Sequence, residues 1–204
     1  MASLQPIRPE HDPPTPIHLR ALDDLRFIRE TMERSGSFTA ISGLGEILVG
    51  LSAGVAAILA SSQQNDGAWL GVWLGEAVLA LVLTAAFAAR KAARAGERLL
   101  SRPGKQVAGG LIPPLMAGLL LTVAMYGAGA TDLLPGTWLL LYGTGVVTAG
   151  AFSVRIVPVM GLTFMAFGAL ALLTPDVWRD PVLASGFGGV HLVFGLIIAR
   201  RYGG

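Results

Sequence analysis

From residue 38 onward the chain alternates between apolar runs and short polar or charged breaks. The runs cover about 38–60, 69–89, 111–130, 138–154, 156–173 and 182–199, and most are long enough to cross roughly 30 Å of hydrocarbon at about 1.5 Å per helical residue. The pattern therefore predicts an all-α, polytopic membrane domain over 37–204, with six transmembrane helices arranged as three hairpins. The breaks are Ser61 to Gly67, the basic stretch Arg90 to Lys105, a turn at Asp132 with Pro135-Gly136, and Thr174 to Pro181. Between Trp138 and Leu173 the only charge is Arg155, so Arg155 with Pro158 is expected to mark a tight turn between two crossings. Pro113-Pro114 is expected in the first turn of the third span, where a missing N–H is tolerated.

Upstream the pattern changes. Residues 1–16 hold Pro6, Pro9, Pro13, Pro14 and Pro16 and read as a disordered cytosolic tail. Thr15-Pro16 then resembles a helix cap followed by proline at the first helical position. Within 17–36, Leu22, Leu25, Ile28 and Met32 share one helical face, while Arg26/Glu30, Arg29/Glu33 and Glu30/Arg34 form i,i+4 pairs. This predicts a cytosolic amphipathic helix, lying on the membrane surface or docking a cytosolic protein partner through residues 17–34.

Charge decides orientation. With the N-terminus in the cytoplasm, 14 of the 15 Lys and Arg residues fall inside and only Arg179 falls outside. The outer turns carry Asp66, Asp132, Asp176 and Asp180, and Trp69, Trp73, Trp138 and Trp178 fall at outer ends as an interfacial belt. Both termini are thus expected in the cytoplasm of a bacterial inner membrane. Composition agrees with this class: mean hydropathy is +0.63 and charged residues make up 14%, against about 25% in soluble domains. The net charge of +2 is placed as topology signals, which argues against nucleic acid as a partner. Cysteine is absent, which removes disulfides, thiolate metal sites and cysteine nucleophiles.

Three strongly ionisable side chains interrupt the spans: Glu46, Glu76 and His191. Such groups cost at least about 2.5–3.5 kcal/mol at the bilayer centre, so they normally face the bundle interior and have partners. Counting residues from the span ends puts Glu76 and His191 near one level, with Glu46 roughly 8–10 Å nearer the cytoplasm. A Glu76–His191 pair is expected if the second and sixth spans are neighbours, with Glu46 continuing a relay. Tyr142, Thr144 and Tyr126 are candidate hydrogen-bonding neighbours. The alternative is that each carboxyl is protonated, or bonded to backbone or serine, and only fixes helix register. No Walker motif, nucleotide-binding glycine motif, Gly-x-Ser-x-Gly or His-Glu-x-x-His spacing occurs, so no catalytic residue, cofactor or metal is expected. Gly50 to Gly54 and Gly71 to Gly75 match the GxxxG packing pattern.

A weak internal repeat accompanies the spans. Gly43 to Gly50, Gly110 to Gly118 and Gly161 to Gly168 recur in the odd spans, and Trp73-Leu-Gly-Glu76, Leu141-Tyr-Gly-Thr144 and Phe187-Gly-Gly-Val-His191 in the even ones. With the stretches Gly161 to Gly168 and Gly188 to Gly195, this hairpin pattern resembles small six-helix bacterial membrane proteins of the HdeD acid-resistance type. Phe27 to Thr39 resembles a segment of an uncharacterised bacterial membrane-protein group. Neither likeness brings a catalytic residue. The function expected is an intramembrane acid/histidine site that binds or conducts a proton, cation or small solute; the alternative is a non-transporting anchor or sensor subunit acting through its N-terminal helix. Beyond the lipid bilayer, a homo-oligomer is a further expected association.

Overall fold

A computed structural model describes residues 21–26, 28, 41–96 and 101–202. Met1–Gly36 and Ser37–Gly204 form two separate units. In the first, residues 21–26 and 28 are helical, and Leu22, Leu25 and Ile28 are exposed. The expected tail over 1–16 and the three expected charge pairs lie outside the described residues.

The second unit is helical, with no strand among the described residues. Its elements are α1 (Gly43–Ser61), α2 (Asp66–Arg94), α3 (Arg102–Gly127), a 3₁₀ turn (Thr131–Leu133), α4 (Leu134–Gly150) and α5 (Ile156–Leu173). A 3₁₀ turn (Asp176–Trp178) then leads into α6 (Arg179–Leu183), a π-helical segment (Ala184–Val190) and α7 (His191–Tyr202). The stretch from Asp176 to Tyr202 forms one crossing, so six helical spans are long and apolar enough to cross a membrane. Their outer faces carry exposed Ile58, Val78, Leu120, Val123 and Leu173. In water this surface would be a large apolar patch; against lipid it is the expected exterior of a multi-pass membrane protein.

Helix starts follow side-chain caps. Ser42 accepts from the Gly45 amide at 3.3 Å, Asn65 from the Ala68 amide at 2.8 Å and Ser101 from the Gly104 amide at 3.4 Å. The third cap corrects the expected third span. With Ser101 capping and Pro103 in the first turn, α3 begins well before residue 111, so Pro113 and Pro114 sit inside it. Proline has no amide to offer the carbonyl four residues back, which leaves the Gly110 carbonyl free of Pro114. That oxygen instead accepts the Thr148 hydroxyl of α4 at 2.8 Å. Pro135, expected in a turn, stands in the first turn of α4 for the same reason that proline suits helix starts.

Glycine builds the two closest seams. On α1 and the last crossing, Gly43 meets Ala199, Gly195 meets Ile47 and Glu46, and Gly50 meets Leu192 and Gly188. On α4 and α5, Gly143 meets Gly161 and Met165, Gly150 meets Pro158, and Gly168 meets Leu140 and Gly136. The glycines on each helix recur every seven residues, so they stay on one face and let the backbones approach. A Cβ at Gly143 would lie 2.7 Å from the Gly161 carbonyl oxygen, and one at Gly195 would lie 2.8 Å from the Ile47 nitrogen. Gly71 and Gly75 have nothing within 4 Å, so the packing expected of that GxxxG match is not made by the described residues.

Between these seams lies the apolar core of Trp69, Leu134, Leu139, Phe164, Leu183 and neighbours. Helix α2 packs on α1, and α3 on α4, but α2 and α3 are not packed along their lengths, the Tyr126 hydroxyl near Gly67 joining them at one end. Only 11% of each of their spans is buried, against 50% for α4 and for the last crossing. Every consecutive pair of crossings except α2 and α3 is therefore packed together, and the ring is left open between those two.

Candidate functional site

The site starts from an irregularity in the last crossing. The amide of His191 donates to the Gly188 carbonyl, so the Phe187 carbonyl is released from the usual i−4 bond to that amide. His191 Nδ1 lies 2.6 Å from this Phe187 oxygen. A carbonyl can only accept, so Nδ1 carries the hydrogen and Nε2 is turned toward the other helices. Nε2 lies 3.0 Å from the Tyr142 hydroxyl of α4 and 3.6 Å from Glu46 Oε2 of α1.

The glycine seam explains why Glu46 arrives there. Gly195 leaves room for the Cβ of Glu46, 3.0 Å from where its own Cβ would stand. His191 lies four residues before Gly195 on the same face, so the long glutamate side chain reaches it. Both residues are buried, His191 at 2% and Glu46 at 9% exposure. Phe164 and Phe187 close around the ring, with centroids 4.9 and 6.4 Å from the imidazole. With Nδ1 committed to Phe187, a proton on Nε2 can be donated to Glu46 or Tyr142. Without it, Tyr142 donates to Nε2. The three side chains therefore form a cluster able to hold a proton in more than one place.

Glu76 sits apart from this cluster. Its partner is Ser52 of α1, whose hydroxyl lies 2.8 Å from Glu76 Oε1 and 3.1 Å from the Val49 carbonyl. Helices α2 and α7 are not packed together, so the expected Glu76–His191 pair is replaced by Glu46–His191. The residue count placed Glu46 too far from His191 because it took the last crossing from Val182 to Ala199. The crossing runs from Asp176 to Tyr202, and a glutamate side chain spans about a helical turn.

Glu76 and His191 nevertheless face one space. A cavity of about 290 Å³ is walled by α1, α2, α3, α4 and the π segment, with Glu76, His191, Tyr142, Thr84 and Thr122 among its polar groups. Trp73, Trp138 and Phe187 add aromatic walls. A shallower groove of about 420 Å³ between α1 and α2 meets Glu76 from the other side, along Gly71, Gly75, Val55 and Leu59. The buried indole N–H of Trp73 has no acceptor among the described residues.

The remaining candidates go elsewhere. Thr144 donates to the Leu140 carbonyl of its own helix at 2.8 Å and approaches Met165 sulfur at 4.0 Å. Tyr126, at the end of α3, is exposed, and its hydroxyl lies near Gly67 in the first turn of α2 rather than at His191.

Polar locks close both ends. At one, Arg179 is 3.2 Å from Asp66, 3.7 Å from Asp176 and 3.9 Å from Asp180, and lies 4.7 Å over the Trp69 ring. Trp69 Nε1 donates to Asp180 at 2.7 Å, Thr131 donates to Asp66 at 2.7 Å, and the Trp69 and Trp138 rings stack at 5.6 Å. At the other end, Lys91 donates to the carbonyls of Ile41 and Tyr202, both at 2.8 Å. The second of these places a cation at the negative end of α7. Sequence reading placed Asp66, Asp180 and Arg179 in turns without seeing that they meet, because the lock needs three turns distant in sequence.

The chain matches no family model, and no curated protein and no solved structure is similar to it.

Proposed function

We propose that this is a bacterial inner-membrane protein whose intramembrane acid/histidine site binds or conducts a proton, cation or small solute. The observation that carries the reading is the contact of Glu46, His191 and Tyr142 beside a cavity whose wall includes Glu76. Ionisable side chains are costly in a bilayer and mark pathways or binding sites when they face a cavity. The orientation that goes with it puts both termini and the Lys91 end in the cytoplasm, with the Arg179 lock outside. Three hairpins in the same orientation, as in the HdeD-type proteins the sequence resembles, are part of the same proposal.

Thermal unfolding in detergent tests it, across about pH 5–8 and a panel of cations, for wild type, Glu46→Gln and Glu76→Gln. The expected result is a midpoint that moves with protons or with one ion, and a variant of otherwise normal stability in which that movement disappears. Flat, superimposable responses contradict the proposal.

A second reading has one observation behind it: Leu22, Leu25 and Ile28 are helical and exposed. Here the protein is an anchor or sensor subunit whose N-terminal helix binds a cytosolic partner. It predicts that deleting residues 17–34 abolishes a pull-down partner while Glu76→Gln is silent.

A further inference from the structure

We propose that the cavity between α2 and α3 takes a lipophilic organic monocation, which enters sideways from the bilayer. This rests on the reading of Glu76 as part of a cation site and names the class of cation.

Three observations converge. The route is lateral, because α2 and α3 are consecutive in the chain yet not packed together, and the cavity lies between them. The walls are apolar and aromatic: Trp73, Trp138, Tyr142 and Phe187 all line the space, and aromatic rings attract cations held beside them. Among the described residues no Lys or Arg lines it, whereas the Glu76 carboxyl does.

Hydrogen bonding then singles out the group that meets the ligand. Tyr142 is engaged by His191, and the imidazole by Phe187 and Tyr142. The Thr122 hydroxyl accepts from Trp138 and donates to Gly118. Among the described residues Glu76 is bonded by Ser52 alone, on Oε1, which leaves Oε2 for an incoming charge.

The same lining discriminates among ligands. A hard inorganic cation needs about six oxygen ligands, and the cavity offers mainly Oε2 of Glu76 and the Thr84 hydroxyl. An anion meets no Lys or Arg among the described lining residues, and the unpaired N–H of Trp73 is neutral. A neutral lipid chain needs no carboxylate, and a carboxylate at this depth is costly to keep. A cation carrying its own apolar body satisfies both the charge and the walls.

The test uses full-length protein in detergent with benzyltrimethylammonium and its uncharged carbon isostere, neopentylbenzene. Binding is read by quenching of intrinsic fluorescence, since Trp73 and Trp138 line the cavity. The expected result is saturable binding of the cation at least tenfold tighter than of the isostere, weakened at least tenfold in Glu76→Gln. Ala80→Phe, which fills the cavity from α2 without removing the charge, lowers binding of the cation as well; it keeps the test decisive if Glu76→Gln fails to fold. Equal binding of cation and isostere, or undiminished binding in both variants, overturns the proposal.

Midpoints measured on the same samples with protons, sodium and potassium separate the two levels. A response to those ions without benzyltrimethylammonium binding overturns this inference alone. Silence toward all of them overturns the proposed function with it.

Discussion

His191 is fixed by what its two ring nitrogens can do. Nδ1 has a carbonyl for a partner, so everything variable happens at Nε2, between Tyr142 and Glu46. Replacing Tyr142 by Phe should leave the fold and remove the hydroxyl that satisfies bare Nε2, costing about 1–2 kcal/mol in thermal or chemical unfolding. Ser52→Ala isolates the other acid: Glu76 loses its one hydrogen bond, and the expected outcome is weaker ion or cation binding with a midpoint close to wild type. At the Arg179 end, Trp69→Phe keeps the stacked ring but removes the N–H that reaches Asp180. A loss of about 1–3 kcal/mol is expected there, because the acceptor is a carboxylate that loses a buried donor. The three ionisable residues were visible in the sequence as breaks in apolar runs. Their pairing was not, since it depends on a side chain reaching across a seam.

At the level of elements, the helices owe their boundaries to local signals and their partners to glycine. The span at 156–173 coincides with α5, because Arg155 and Leu173 bound a run with no internal ambiguity. The apolar run predicts a third span from about 111, whereas α3 begins at Arg102, because Ser101 caps the helix and Pro103 suits its first turn. The seven-residue glycine spacing was legible as a repeat, but its meaning as two antiparallel seams needed the neighbours Ala199, Ile47, Gly161 and Pro158. The π segment had no sequence signal beyond its glycines, Gly186, Gly188 and Gly189. Gly143→Val should destabilise the α4–α5 seam by about 1–3 kcal/mol or more, since its side chain meets backbone with no room to yield. Gly75→Ala, with open space around it, should be neutral or slightly stabilising. Unfolding midpoints of the two variants, measured side by side, check the assignment.

At the largest scale, within the unit Ser37–Gly204, the ring of helices joins a tightly sealed side to an open one. Glycine seams hold α1 to α7 and α4 to α5, the Arg179 and Lys91 locks close the two ends, and the gap lies between α2 and α3. Hydropathy and charge alone revealed the membrane class and the number of apolar spans. The gap was invisible to them, because an exposed leucine facing lipid and one facing a cavity look alike in sequence. The account places a shared proton beside that gap, and histidine reports on it directly. The chain has three histidines, and converting His11 and His18 to Gln leaves His191 as the only one. Nitrogen-15 NMR of this protein, labelled at histidine and titrated over about pH 5–8, then reads its tautomer and protonation. Hydrogen is expected on Nδ1 at every pH, with an Nε2 signal that shifts in Tyr142→Phe and in Glu46→Gln because both side chains face that nitrogen. An Nε2–H tautomer, or an Nε2 signal indifferent to both substitutions, would contradict this assignment.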